Sequence, residues 1–278
     1  ENEALSIARV IASTDLINKI HNENCLETMS KMPDCFVDLT VTSPPYDDLR
    51  NYNGFSFEFE KVALELFRIT KEGGIVVWNV GDGTKNGSES LTSFKQALYF
   101  NNIGFNVHDT MIYAKNNYVP LTHNRYEQQF EYMFILSKGK PKTFNPIMIK
   151  SKYAGTSNKP TFRQDADGEL RQANTPKPIS DLKIKPNIWF YDVGKNKSSN
   201  DELAFKHPAT FPEDLAKDHI YTWSNENDIV YDCFMGSGTT AKMAHLQKRK
   251  WIGSETSKEY VEIANKRIKS YLDQTTLF

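Results

Sequence analysis

Residues 229–240 read Ile229-Val230-Tyr231-Asp232-Cys233-Phe234-Met235-Gly236-Ser237-Gly238-Thr239-Thr240, and Lys250-Trp251-Ile252-Gly253-Ser254-Glu255 follows ten residues later. The apolar run into Asp232, after a turn at Asn227-Asp228, predicts a short strand. Gly236 and Gly238 predict a loop whose backbone can approach a ligand closely. Thr239 to Lys250 is rich in helix formers (Ala241, Lys242, Met243, Ala244, Leu246, Gln247). It predicts a helix whose first turn offers unpaired N–H groups. Lys250 to Glu255 then predicts a second strand ending in a carboxylate. Strand, glycine loop, helix and strand form the first βα unit of a nucleotide-binding sheet. Glu255, 23 residues after Asp232, is placed to accept hydrogen bonds from ribose hydroxyls. No Gly-Lys-Ser/Thr follows the loop, which argues against a phosphate-binding P-loop. The same pattern is open to an NAD-type site, or to a surface glutamate after a strand.

A second strand end lies far upstream. Cys35 to Thr42 alternates apolar and β-branched residues, as a buried strand does. Ser43-Pro44-Pro45-Tyr46 stops it. Proline lacks an N–H and fixes φ, so the chain leaves the ladder rigid and extended, with carbonyls that have no ladder partner. A hydroxyl, free carbonyls and an aromatic face suit a planar base that offers an amino group. A rigid surface turn carrying a packed tyrosine would give the same residues.

Taken together and in this order, the two motifs resemble the β-class DNA amino-methyltransferases, over most of residues 15 to 275. Ser43 to Tyr46 match the family's catalytic motif. Asp232 to Gly238 match its cofactor loop, with Cys233 in place of the usual proline. Glu255 matches the ribose-binding acid. Asn24-Cys25-Leu26 resembles the segment D-C-L that faces the cofactor adenine. His207-Pro208-Ala209-Thr210-Phe211-Pro212 resembles H-P-T-Q-K-P, and Glu127 to Lys138 resembles the segment of the last hairpin strand. The resemblance implies an α/β, Rossmann-like, doubly wound and mostly parallel seven-stranded methyltransferase sheet with an inserted target-recognition region. It implies S-adenosylmethionine as cofactor, held by Asn24, Cys25, His207, Pro208, Asp232, Phe234, Gly236, Ser237, Gly238, Thr239 and Glu255. Ser43, Pro44, Pro45 and Tyr46 are the implied catalytic residues.

In the family, serine at the head of the catalytic motif usually accompanies cytosine N4, and Asp or Asn adenine N6. Ser43 therefore implies cytosine N4; action on adenine would keep fold and cofactor. The target amino lone pair is delocalised into the base ring. The Ser43 hydroxyl and Pro44 carbonyl, accepting from its two N–H bonds, would concentrate that lone pair toward the methyl group. Tyr46 would stack on a base flipped out of the duplex. An RNA or protein substrate would suit the same cofactor loop, and a catalytically degenerate DNA-binding module would suit the same fold.

The 278 residues suit one large domain or a domain with an insert, and 25% charged against 39% hydrophobic residues reads as globular. Neither a membrane-spanning apolar run nor a signal peptide is expected, and three cysteines without a spacing pattern predict reduced thiols. No metal is expected. A bacterial or phage-like cytoplasmic protein is the resulting expectation. The net charge of −1 hides an asymmetry: Lys138 to Asn200 holds 13 Lys/Arg and five Asp/Glu, a net of +8, and the remainder carries −9. A basic insert on an acidic body suits phosphate contacts with double-stranded DNA, or is simply a solvated lysine-rich loop.

The organisation expected is a catalytic lobe over 15–139, a target-recognition insert over 140–200, and a cofactor-binding lobe over 201–275. Residues 1–14 read as a loosely attached segment. Val62, Leu66 and Ile69 predict a helix stopped at Gly73-Gly74, with Ile75 to Val80 as a strand. Residues 153–178 read as disordered in the absence of DNA. Arg163 and Arg171 in the insert, and Arg50 in the loop after the catalytic motif, are the DNA-contact candidates. Trp189-Phe190-Tyr191 is expected to pack the insert back on the body. The family further implies a homodimer and a cognate restriction endonuclease.

Overall fold

The computed structural model describes residues 14–45, 58–117, 124–194 and 212–275. Its main sheet has eight strands: β1 (Lys19–His21), β2 (Val37–Thr42), β3 (Thr70–Val80), β6 (Asn106–Lys115), β7 (Phe130–Ser137), β12 (Ile188–Tyr191), β13 (Ile229–Asp232) and β14 (Lys250–Ser254). Their order is β1-β14-β13-β2-β3-β7-β6-β12. All neighbouring pairs are parallel except β3–β7 and β7–β6. The mostly parallel, doubly wound α/β architecture is the one expected. The eighth strand is β12, the segment Trp189-Phe190-Tyr191 with Ile188. Trp189 and Tyr191 are buried and Ile188 and Phe190 exposed, the period-two pattern of a strand covered on one side.

The central strands are buried on both faces, as parallel strands must be when helices cover both sides. Every residue of β13 is buried, and β2 is buried apart from Asp38. The helices form two groups that pack among themselves. The first is α1 (Cys25–Ser30), α2 (Phe59–Ile69) and α3 (Thr92–Asn102). The second is α4 (Glu213–Trp223), α5 (Thr239–Leu246) and α6 (Lys258–Thr275). On α2 the predicted spacing holds: Val62, Leu66 and Ile69 are fully buried. They join Trp78, Phe100, Phe105 and Tyr231 in the core.

Gly73-Gly74 is not the helix stop predicted. The helix ends at Ile69, and β3 runs through the glycines as an irregularity: Val37 faces Thr70, but Leu39 already faces Ile75. Gly73 has φ +80°, and a Cβ on Gly74 would stand 2.9 Å from the Asp38 carbonyl. A bulge that close to a neighbouring backbone needs glycine.

Pro146–Pro186 forms a separate compact unit. In it β8 (Met148–Lys150) pairs antiparallel with β11 (Leu182–Ile184), and β9 (Phe162–Gln164) with β10 (Leu170–Gln172). Residues 153–178, expected to lack order, therefore contain a hairpin, closed by Gly168 at φ +83°. Polar composition hid the turn chemistry of Asp165-Ala166-Asp167-Gly168. There the Asp165 carboxylate accepts from the N–H groups of Asp167 and Glu169, each at 3.0 Å. A short hairpin, β4 (Thr84–Lys85) with β5 (Ser88–Glu89), follows β3.

Candidate active site at the switch point of the sheet

From β2 the chain crosses through α2 to β3, on one side. From β13 it crosses through α5 to β14, on the other. The parallel neighbours β2 and β13 are thus where the winding reverses, and a crevice opens outside the carboxyl ends of strands at such a point. Both sequence motifs begin there. Ser43 follows Thr42 at the end of β2, and Cys233 follows Asp232 at the end of β13. Motifs separated by about 190 residues of chain are neighbours because their strands are. Ser43 and Pro45 are half-buried and Pro44 is buried.

Asp232 is 1% exposed. Its Oδ1 accepts from the Thr42 hydroxyl at 2.7 Å and from the Phe234 N–H at 3.0 Å, and its Oδ2 from the Thr240 hydroxyl at 2.7 Å. The carboxylate therefore ties together the end of β2, the glycine loop and the first turn of α5. Burial raises its pKa to about 6, against the lowering effect of these three donors. The Phe234 ring lies edge-on to Trp78, centroids 6.4 Å apart.

Within the loop Gly236 has φ +52° and Gly238 φ +83°. A Cβ on Gly238 would lie 2.8 Å from the Ala264 Cβ of α6. That glycine both turns the chain and lets two helices approach. Thr239 opens α5, and no side chain caps it. Glu255 stands just past β14, and burial raises its pKa. One carboxylate oxygen accepts from the Gly236 N–H at 2.9 Å and the other from the Ser257 N–H at 2.8 Å.

Asn24 and Cys25 reach the same rim because β1 pairs with β14. The Glu255 N–H donates to the His21 carbonyl at 3.0 Å, and Asn22 Nδ2 donates to the Glu255 carbonyl at 3.0 Å. Asn24 is the N-cap of α1, its Oδ1 accepting from the Leu26 N–H at 2.9 Å. Burial pushes the Cys25 thiol up to about 12. Tyr46, Arg50, His207 and Pro208 lie outside the described residues, as do residues 1–13. Arg163 and Arg171 face each other across the β9–β10 hairpin. Arg171 pairs with Asp165 at 2.6 Å. Among the described residues no cluster of His, Cys, Asp and Glu is suited to a metal ion, and no helix is long and apolar enough to cross a membrane.

The family model described as DNA methylase matches residues 37–266. The orphan methyltransferase M.BamHII of Bacillus amyloliquefaciens is 57% identical over 241 residues, covering 86% of this chain and 91% of that protein. This chain belongs to the DNA methylase family. The DNA adenine methyltransferase YhdJ of Escherichia coli is 28% identical to this methylase over 258 residues, covering 90% of this chain and 81% of that protein. The solved complex of M1.HpyAVI with SAM matches it with a TM-score of 0.56 at 25% identity, covering 90% of this chain and 98% of that one.

The family uses S-adenosylmethionine, and the crevice of this methylase has the chemistry to hold it. The glycine loop and the uncapped first turn of α5 supply backbone donors. The Glu255 carboxylate, held by backbone donors from Gly236 and Ser257, is an acceptor at the rim of that loop of the kind a ribose hydroxyl needs. Sequence reading missed a buried ionic group behind the loop. Arg267 of α6 is 1% exposed and Lys242 of α5 3% exposed, and both donate at 2.8 Å to the same Glu213 oxygen. The signal for Arg267 was available: it lies on the apolar face of α6 with Val261, Ile263, Ala264 and Ile268.

Proposed function

We propose that this methylase transfers a methyl group from S-adenosylmethionine to the N4 amino group of a cytosine flipped out of double-stranded DNA. The observation that carries the reading is Ser43-Pro44-Pro45, beginning where β2 ends and standing across the strand seam from the Asp232–Thr240 loop. Asp232 braces that loop. Gly236, Ser237, Gly238 and Thr239 present its backbone to the cofactor, Glu255 accepts from the ribose, and Asn24, Cys25 and Phe234 border the adenine.

Bound S-adenosylmethionine supplies an electrophilic methyl group on a positively charged sulfur. Ser43 Oγ and the Pro44 carbonyl accept from the two N–H bonds of the cytosine amino group and aim its lone pair at that methyl carbon. This is positioning and electrostatic stabilisation of developing charge. The Ser43 hydroxyl is too weak a base to remove a proton beforehand. As the new N–C bond forms the methyl–sulfur bond breaks, its electron pair leaving with the sulfur as a neutral thioether, and the amino proton passes to water. Pro45 holds the turn rigid and Tyr46 stacks on the extruded base. Arg50, Arg163 and Arg171 contact DNA, and His207 and Pro208 close over the methionine part of the cofactor.

Adenine N6 is the second reading, favoured by the likeness to YhdJ; the same residues would present either amino group. A cytoplasmic homodimer is the assembly we expect, and sedimentation at working concentration reads it. The 57% likeness to a protein named an orphan methyltransferase favours a methylase that works without a dedicated endonuclease. The deciding experiment incubates the protein with S-adenosylmethionine and unmodified genomic DNA, digests the DNA to nucleosides and weighs them. N4-methylcytosine upholds the proposal. N6-methyladenine overturns the base, and neither product overturns the reaction.

A further inference from the structure

Arg267 is a fully buried guanidinium, and nothing in the reaction as described needs it. Desolvating such a group is costly, and apolar replacements of similar volume often leave a fold as stable or more so. Its contacts are therefore informative. Nη2 donates to Glu213 Oε1 at 2.8 Å. Nη1 donates to the Ser237 carbonyl, to Ser237 Oγ at 3.0 Å and toward Thr239 Oγ1 at 3.4 Å. Lys242 Nζ, 4.6 Å from the Tyr271 ring centroid, shares the same Glu213 oxygen at 2.8 Å. Glu213 is the first residue of α4. One guanidinium thus clamps the middle of the glycine loop to the start of α4.

Ser237 sits between two glycines in the left-handed region, at φ +52° and +83°. A peptide flanked by glycines has many accessible orientations. A planar amide points its C=O and N–H in opposite directions. Fixing the Ser237 carbonyl against Arg267 therefore also fixes the Gly238 N–H, which donates to the Met235 carbonyl at 2.9 Å. Both halves of the peptide are held from inside the protein. The loop keeps one shape before any ligand arrives, which lowers the ordering cost of binding.

We propose that Arg267 is a positioning residue for the cofactor, holding the Gly236–Thr239 loop in its binding shape through the Ser237 carbonyl and hydroxyl. The inference rests on the assignment of this loop to S-adenosylmethionine. Arg267 does not touch the cofactor. It acts through Ser237, so its loss weakens cofactor affinity and leaves turnover at saturation nearly intact. Only the planar fork reaches Glu213 and Ser237 together. A lysine keeps the charge and most of the volume but offers a single nitrogen.

The test measures S-adenosylmethionine binding to the full chain by calorimetry, for wild type, Arg267→Lys, Ser237→Ala and the double variant, with melting temperatures and steady-state rates alongside. Arg267→Lys is expected to raise the cofactor Kd and KM about tenfold, as for loss of a charged hydrogen bond. Its kcat should stay within about twofold, since an interaction made equally in ground and transition states moves KM alone. Ser237→Ala and Arg267→Lys should be non-additive in the double variant. A wild-type Kd in Arg267→Lys, whatever its melting temperature, overturns the inference. So does full additivity. If Arg267→Lys does not fold, Glu213→Gln reads the same clamp from its other end, and an unchanged Kd there is equally decisive against it. Failure of the wild type to bind S-adenosylmethionine would instead overturn the assignment of the loop itself.

Discussion

The Thr42 hydroxyl donates to Asp232 Oδ1 at 2.7 Å, across the seam between β2 and β13. One residue further along each strand stand Ser43 and Cys233, so this bond joins the end of the strand that leads into Ser43-Pro44-Pro45 to the start of the glycine loop. The carboxylate is fully buried, and its other oxygen is held by Thr240. One side chain therefore ties the end of β2 to the glycine loop and the first turn of α5.

Removing the donor at Thr42 should be felt in both motifs. Thr42→Val keeps the shape but withdraws a hydroxyl from a buried carboxylate, which costs about 1–3 kcal/mol. Chemical denaturation should show that loss, with a raised cofactor Kd and a lowered kcat together. Thr42→Ser, which retains the hydroxyl, should restore most of all three. A change confined to stability would show that the bond does not align the motifs.

The pKa of Asp232, raised to about 6 by burial, carries a definite pH signature. An unfolded aspartate titrates near 3.9. Between about pH 4 and 6 the folded protein holds the proton more tightly than the unfolded chain does. Folding stability from this group thus declines as pH rises through that window and is level above it. Asp232→Asn cannot titrate. The stability difference, wild type minus Asp232→Asn, should therefore fall from pH 4 to 6 and then stay flat. A difference that rises with pH would show that the three donors outweigh burial.

Gly238→Ala meets two obstacles at once. Its φ of +83° disfavours any Cβ, and the added carbon would stand 2.8 Å from Ala264 Cβ. Left-handed backbone and overpacking together should cost about 2–4 kcal/mol. Thermal melting of Gly238→Ala, and of Gly238→Ala with Ala264→Gly, separates the two. The second change should recover the packing part and leave the backbone part.

Arg163 and Arg171 occupy directly opposed positions on β9 and β10, yet their charges are placed differently. Arg171 is paired with Asp165 at 2.6 Å and lies 3.8 Å from Glu169. Among the described residues Arg163 has no ion pair. Arg163→Ala should accordingly weaken DNA binding more than Arg171→Ala. It should also reduce the slope of log affinity against log salt by about one, as for one lost phosphate contact. Equal losses in a fluorescence titration over a salt series would show that the Asp165 pair opens on DNA.

The strand–loop–helix–strand unit at 229–254 was legible because each step is a local matter: β-branched runs, glycines and helix formers act within a few residues. The amphipathic spacing of α2 was legible for the same reason. Gly73-Gly74 was misread, because only contact with the Asp38 carbonyl of the neighbouring strand distinguishes a bulge glycine from a helix stop. The hairpin over 162–172 was hidden by its composition, since its order comes from cross-strand pairing and an Asp165 turn rather than from buried apolar area.

Local chemistry was sufficient to predict the parallel sheet and the two motifs that begin at strand ends, and the order of those motifs carried the family resemblance. The adjacency of those strand ends was decided by the reversal of winding at β2 and β13, which juxtaposes segments some 190 residues apart. The placement of Arg267 behind the loop was decided likewise. Residue type along a chain records propensity over short range. Whether a carboxylate such as Asp232 faces a ligand or three internal donors depends on side chains brought together by strands and helices distant in sequence.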